Sequence, residues 1–497
     1  MRSKPMIEQL PILNMLVFLI AALMIPLLSK KAFFITLILG FFVLLSVFVS
    51  SIVLLVHVNT VGEFYYRFGN YQSFLGIEFK IDAFSVLFTT FIVGLTMLIY
   101  LYSCGDATDG IYEAEYGRYY ILLFILMFSI FGIIYTNDLF NAYVFMEILS
   151  LTSCSIISIK RKKENYTAAF RYVMLNEVGS LSYLFGIALL YMVTGYTNIT
   201  LVFESIQSAW TVYPANIMTA VGFMIVGIGI KAAIFPFHIW LPDAHSHAPS
   251  SSSAILSSIV VKVYLLLMVK VLFRVFGIDI LKELNIPAII MIIAGFGMIM
   301  GSFFALAQKD VKRMLGYSSV AQIGYIVLGI GLMTHIGLSA AFFHIISHGL
   351  MKAALFLSVG AIIYYQRVRR IDQFDGMGYK MPLSMIVFSI AALGMIGIPL
   401  TVGFISKMNL GLAALGSGMI IFIIIIVVSG LLNAMYYLPI MISAFLRGPK
   451  GNGISGVEKI PKVMLIPITI LGILIIVLGI YPNLIYQLIE NAVNTLL

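Results

Sequence analysis

The chain has 497 residues, of which 61% are hydrophobic and only 10% charged, against about 25% charged in an ordinary soluble domain. With a mean hydropathy of +1.06 it cannot cover itself with a polar skin, so it reads as an all-α polytopic membrane protein. Continuous rather than alternating apolar runs exclude a β-barrel, and the two cysteines, Cys104 and Cys154, are too few for a disulfide scaffold. The pI near 9.2 signals basic cytoplasmic loops rather than nucleic-acid binding.

A transmembrane helix takes about 20 apolar residues. In chain order, spans are expected at 11–29, 32–57, 82–103, 118–136, 138–159, 166–193, 215–241, 250–275, 286–308, 314–333, 336–365, 381–412, 416–446 and 461–488, fourteen in all. The first lacks a small-residue cleavage site and reads as an anchor. Residues 58–81 are rich in Gly, Asn and aromatics and read as an ordered loop or hairpin outside the membrane. Loops after odd-numbered spans carry eighteen of the thirty Lys and Arg residues, from Lys30 and Lys31 to Lys459 and Lys462. Loops after even spans carry four, and the tail adds Arg2 and Lys4. The positive-inside rule then places the odd loops in the cytoplasm and both termini outside, in a cell (plasma) membrane protein.

Six basic residues remain inside apolar spans: Arg171, Lys231, Lys262, Lys270, Lys352 and Lys407. A charge at the bilayer centre costs about 2.5–3.5 kcal/mol on insertion scales, and such residues mark ion paths by default. Glu147 lies nine residues beyond Asp138, about 13 Å down a helix, near mid-membrane; it reads as the carboxylate that tunes a nearby lysine, or else as a packing carboxylate bonded to a Ser or Tyr. Lys231 precedes Pro236 in GIGIKAAIFPFHIWLP, and a mid-span proline breaks a helix where it lines a hydrated cavity. Burial disfavours a charged lysine and an opposed carboxylate favours it. Moving Glu147 and Lys231 together or apart therefore switches the lysine between holding and releasing a proton. Lys262 is again central in its span, whereas Lys270 sits near the span end and reads as snorkelling.

His344, His348 and Lys352 recur at i, i+4 and i+8 and share one helix face. Histidine titrates near neutral pH and passes protons through both ring nitrogens. A metal site is disfavoured because no Glu or Cys accompanies the pair. Lys407 follows Pro399 in GMIGIPLTVGFISK, a second Gly/Pro-interrupted span. Paired interruptions point to inverted repeats, here spans four to eight and nine to thirteen. The chain thus divides into 1–117 (three helices and the loop), 118–275, 286–446 and a C-terminal helix in 447–497. Arg171 and Glu177 read first as a structural pair on one helix. Asp138, His238 and Asp243 are supporting polar positions beside the path, and Asp310 in QKDVKRMLGYSS reads as a helix cap. No Walker A, G-x-G-x-x-G, C-x-x-C, haem or Fe–S spacing is present, so no cofactor is expected on this chain.

The segments TNDLFNAYVFMEI, KAAIFPFHIWLPDAHSHAPSSSSAILSSIVVK, QKDVKRMLGYSSVAQIGY, FHIISHGLMKAALFLSVG and GMIGIPLTVGFISK resemble the antiporter-like subunits of respiratory complex I, Mrp cation/proton antiporters and membrane-bound hydrogenases, over about residues 80–445. The resemblance is nearest the MrpD-like branch. It implies fourteen helices, two inverted five-helix repeats, and broken helices seven and twelve. It also implies a relay from Glu147 and Lys231 through Lys262, His344 and His348 to an exit at Lys407. Glu177 departs from the family pattern. The implied partners are the bilayer, other membrane subunits and protons, alone or together with Na⁺. The implied activity is proton movement, coupled to Na⁺/H⁺ exchange, in an Mrp-type or related respiratory complex. The chain is then no catalyst by itself, though it would serve an oxidoreductase-driven translocase. A stand-alone solute transporter, a quinone-linked pump subunit and a non-conducting anchor are the competing readings.

Overall fold

The computed structural model describes residues 6–29, 33–71, 76–106, 111–112, 115–448 and 460–497. Arg2, Lys4, Lys30, Lys31, Lys450 and Lys459, used above for orientation, lie outside them.

The first three spans are α1 (Met6–Ser29), α2 (Phe33–Val61) and α3 (Ala83–Asp106). Between α2 and α3 the aromatic-rich stretch forms the expected hairpin, β1 (Phe64–Arg67) paired antiparallel with β2 (Glu78–Ile81). Next come α4 (Tyr116–Tyr135), α5 (Leu139–Ser158) and α6 (Lys163–Thr194). Asp138 caps α5 by accepting from the Asn141 N–H at 2.7 Å. Gly195, at φ 75°, ends α6 in the left-handed conformation that glycine tolerates.

A short amphipathic helix, α7 (Ile199–Val212), precedes the seventh span. It was not expected from the apolar runs, because only one side of it is apolar. The seventh span is broken: α8 (Pro214–Lys231) stops at Lys231, and α9 (Trp240–His247) resumes beyond Pro236. The eighth span runs continuously over Ser250–Phe276 and is buried inside the protein except at Arg274. It comprises α10 (Ser250–Ile255) and α11 (Val261–Val271), with π-helical turns at Leu256–Val260 and Leu272–Phe276. The short α12 (Ile278–Glu283) leads into α13 (Ile286–Leu306), α14 (Val311–Gly331) and α15 (His335–Gln366).

After the single turn α16 (Met377–Lys380), the twelfth span appears as two halves, α17 (Pro382–Ile396) and α18 (Val402–Gly416). The chain closes with α19 (Ile420–Leu446), α20 (Lys462–Ile480) and α21 (Asn483–Asn494). Among the described residues, thirteen helices are long and apolar enough to cross a membrane. The α17–α18 pair, counted as one broken span, brings the number to fourteen. The protein is therefore a multi-pass α-helical membrane protein.

Without water, helices associate through close packing of small residues. α6 and α8 meet at Gly179 and Gly227, where a Cβ on Gly227 would lie 2.6 Å from the Gly179 carbonyl oxygen. α10, α11, α14 and α15 form the centre and α1, α2 and α19 the apolar rim.

Candidate functional site

Glu147, Lys231, Lys262, Lys352 and Lys407 lie on α5, α8, α11, α15 and α18 in turn, and each is held by what its own helix and its neighbours offer. On α8, Lys231 is fully buried. Its Nζ lies 3.2 Å from Glu147 Oε1 and donates to Ser150 Oγ at 2.6 Å. Both partners are on α5, at i and i+3, so one face of α5 carries the counter-charge and the hydroxyl. Ser180 of α6 donates to the Glu147 carboxylate from the other side. Ser150 shares a hydrogen bond of 3.1 Å with the Tyr264 hydroxyl on α11.

Lys262, on α11, donates to the Ser257 carbonyl in the π turn just before it. π turns interrupt regular bonding and recur at functional sites. Ser257 in turn shares a 2.9 Å bond with Ser319 of α14. Lys352, on α15, donates to the Leu315 carbonyl at 2.7 Å and to Ser318 Oγ, and Ser318 bonds the Tyr437 hydroxyl at 3.0 Å. His344 and His348 stack with centroids 6.0 Å apart, too far for a direct hydrogen bond. His344 Nδ1 meets Ser406 Oγ at 2.8 Å. Next to Ser406, Lys407 donates to the carbonyls of Met395 at 2.5 Å and Ile396 at 3.2 Å, with its ammonium 4.6 Å from the centre of the Tyr325 ring.

Lys231 precedes Pro236 and Lys407 follows Pro399, yet the structure places them alike. Lys231 is the last residue of α8, and Lys407 reaches back from α18 to the last carbonyls of α17. Both lysines therefore stand at the C-terminal end of the first half-helix, where unpaired carbonyls and the helix dipole favour a cation.

Among the described residues, no carboxylate ion-pairs with Lys262, Lys352 or Lys407. Between them lie buried polar atoms without a protein partner: both side-chain polar atoms of Gln322, both nitrogens of His348 and His245, and Nε2 of His344. Such atoms are nearly always satisfied, by water when not by protein. The line of side chains thus has gaps of the kind that water fills.

Several expected supporting residues lie elsewhere. Arg171 does not pair with Glu177; it binds Asp243 at 2.7 Å, and Arg313 approaches the same carboxylate at 3.3 Å. Asp138 is tied up as the α5 cap and by the Thr197 hydroxyl at 2.5 Å. His238 stacks between Phe235 and Phe304 rather than joining the line. Lys270 does not snorkel: it is buried and donates to three carbonyls at and beyond the end of α4, those of Ile133, Ile134 and Thr136. Asp310 caps α14 through the Arg313 N–H at 2.9 Å, as its position suggested.

Sequence reasoning missed Ser150, Tyr264, Ser406, Gln322 and His245. Ser150 was within reach, three residues after Glu147 on the same face. His245 and Gln322 carried no signal, since an isolated polar residue in an apolar run looks the same whether it faces a cavity or a packed neighbour. No group of three or more His, Cys, Asp or Glu residues able to hold a metal occurs among the described residues.

The family of NADH:quinone oxidoreductase/Mrp antiporter transmembrane subunits matches residues 136–433, which include Glu147, Lys231, Lys262, His344, His348, Lys352 and Lys407. The chain belongs to this family. It is 34% identical to an NADH-quinone oxidoreductase subunit of Desulforudis audaxviator, over 90% of this chain and 91% of that one. It is 29% identical to a Na⁺/H⁺ antiporter subunit of Alkalihalophilus pseudofirmus, covering 90% and 89%. Among solved structures it matches a chain of the membrane-bound sulfane sulfur reductase, an archaeal respiratory membrane complex, with TM-score 0.90, 27% identity and 98% of each chain covered.

Proposed function

We propose that the chain is the ion-translocating subunit of a multisubunit membrane complex, moving protons along Glu147, Lys231, Lys262, His348, His344 and Lys407. The observation that carries this reading is the Glu147–Lys231 ion pair at 3.2 Å at the head of a buried line of titratable side chains. Buried charges without a task would be replaced at little cost by apolar residues of similar volume. In the proposed cycle Glu147 holds the Lys231 ammonium. When the pair loosens, Lys231 gives its proton towards Lys262 through Ser150, Tyr264 and bridging water. The stacked histidines pass it on to Lys407 at the second helix break. Lys352 is a side branch that positions Ser318 and Tyr437.

The halves 118–275 and 286–446 would be inverted repeats, each placing one lysine at one helix break, with 1–117 and 447–497 packed against them. The complex would sit in the cell membrane with both termini of this chain outside. Coupling to Na⁺/H⁺ exchange is supported by the antiporter relative. The NADH-quinone oxidoreductase relative favours a second arrangement, in which a redox module drives the same path. A solute transporter would gather its polar groups into one pocket, and this line runs from helix to helix instead.

The test is cation/proton exchange in vesicles holding the intact complex. Lys231→Ala and Glu147→Ala are each expected to remove proton movement while the complex still assembles. Full exchange in both variants would overturn the reading.

A further inference from the structure

A cleft with charged walls lies where α4 begins and α5 turns into α6, and it shares no residue with the relay. Its volume is about 220 Å³, and its lining includes Glu115, Arg118, Leu122, Ser155, Arg161 and Tyr166. Glu115 is buried. Its carboxylate pairs with Arg118 at 2.9 Å, and Arg161 approaches the same oxygen. The lining thus sets two guanidiniums against one carboxylate, one positive charge in excess. A guanidinium carries five N–H donors in a planar fork. Arg118 spends Nη1 on Glu115 and Arg161 spends Nη2, and both side chains stay about half exposed. The pair therefore keeps donors for a second anion. Arg161 stands in the α5–α6 turn at φ 55°, a conformation easier for Gly or Asn. It lies in Lys160–Lys163, four basic residues in succession.

The surface leading away from the cleft is apolar. The Ser155 hydroxyl donates to the Leu151 carbonyl, one turn further into the span on α5, and the Leu151 side chain is exposed. On α6, Phe170 and Met174 follow Tyr166 at one-turn intervals on the same face, and both are exposed. Two apolar stripes therefore run from the charged cleft down the spans. A cationic cleft at the helix ends with hydrocarbon-facing lanes below it matches one ligand chemistry, a phosphate joined to acyl chains.

We propose that this cleft binds one phospholipid with an anionic headgroup, its phosphate on Arg118 and Arg161 and its chains along Leu151 and Phe170. Guanidinium forks match phosphate oxygens, and basic pockets between spans take anionic headgroups. The Tyr166 hydroxyl sits at headgroup level, where tyrosines of membrane proteins concentrate. The bound lipid cancels the excess charge and ties the start of α4 to the α5–α6 turn. The inference is independent of the proton relay.

The experiment titrates the intact complex, delipidated in detergent, with dioleoyl phosphatidylglycerol and counts bound lipid by native mass spectrometry. Dioleoyl phosphatidylcholine and inorganic phosphate are the parallel probes. Arg118→Gln and Arg161→Gln are each expected to weaken phosphatidylglycerol binding about fivefold, and the double variant about twenty-fivefold. Replacing both by Lys keeps the charges and should weaken it less. Phe170→Ala, away from the ion pairs, should also weaken it in a complex that assembles like the parent. Phosphatidylcholine should not fill the site, and excess inorganic phosphate should not displace the lipid. Parent affinity in the double Gln variant overturns the proposal; should that variant fail to assemble, parent affinity in Phe170→Ala overturns it alone. Displacement by inorganic phosphate overturns it in favour of a free-anion site. Loss of a neighbouring subunit from the Gln variants at unchanged lipid binding overturns it in favour of a protein contact.

Discussion

Among the described residues six lysines are buried, and Lys231 faces the Glu147 carboxylate at 3.2 Å. Lys262, Lys270, Lys352, Lys407 and Lys312 are held by carbonyl oxygens instead. Lipid supplies no acceptor, so an ammonium among the spans takes backbone carbonyls, at helix ends and a π turn for Lys270, Lys407 and Lys262. Such a bond has a consequence for stability at Lys270. Replacing it by Met would leave three carbonyls around the end of α4 without their donor. We expect Lys270→Met to cost about 1–3 kcal/mol, read as a lower unfolding midpoint of the detergent-extracted complex. Exchange per folded complex should stay at the parent level. An unchanged midpoint would refute the capping role. The apolar run around Lys270 marks it as charged and near a span end, but not that the end of α4 covers it.

The half-helices are the elements on which the site depends. Their breaks were legible from Pro236 and Pro399, because a residue without an N–H cannot continue the ladder. The π turns were not, because no residue type marks them. α17 and α18 are pressed together at Gly403, where a Cβ would stand 2.0 Å from the Gly394 carbonyl oxygen. Gly403→Val should force the halves apart, pull Lys407 off the Met395 carbonyl, and remove exchange even where the complex still assembles. Parent-level exchange in that variant would show the contact to be dispensable.

A second junction joins α3, the end of the eighth span and α21. Asp82, just ahead of α3, accepts from the Arg274 guanidinium, which also reaches Thr495. Burial would raise the Asp82 carboxyl, but the Arg274 charge and the Ser85 N–H outweigh it and hold the group below its ordinary value. A carboxyl lowered by folding contributes stability above its unfolded value near 3.9, and this is lost as pH falls through the folded value. Asp82→Asn should therefore destabilise the protein at neutral pH and weaken its loss of stability below about pH 4. Equal unfolding midpoints for parent and variant at pH 7 would contradict this.

Across the whole molecule, polarity is concentrated in the middle and apolar surface on the outside, the reverse of a soluble protein. Exposed Leu, Ile and Phe of α1, α2, α6 and α19 face lipid or neighbouring subunits. On one side, Asp243 of α9 pairs with Arg171 and Arg313, while Arg369 pairs with Asp310 and donates to the Ser246 carbonyl of α9, so residues from both halves of the chain meet there. We propose from the charge bias that this side faces the cytoplasm and the β1–β2 hairpin lies outside. In a background without Cys104 and Cys154, Lys162→Cys should react with a membrane-impermeant maleimide only in inside-out vesicles. Glu63→Cys should react only in right-side-out ones. The opposite pattern would invert the topology.

The membrane class, the span count, the two breaks and the presence of charged residues within apolar spans were readable from residue types and their spacing. They follow from local rules: about 20 apolar residues to cross a bilayer, no N–H on proline, and the cost of a charge in hydrocarbon. Partnership was decided only by the folded chain. Arg171 and Glu177 sit on one helix six residues apart, yet Arg171 binds Asp243. Lys231 and Lys407, on opposite sides of their prolines, end at equivalent helix ends. Helical spacing sets which residues share a face, but which neighbouring helix lies against that face depends on the packing of all the spans together.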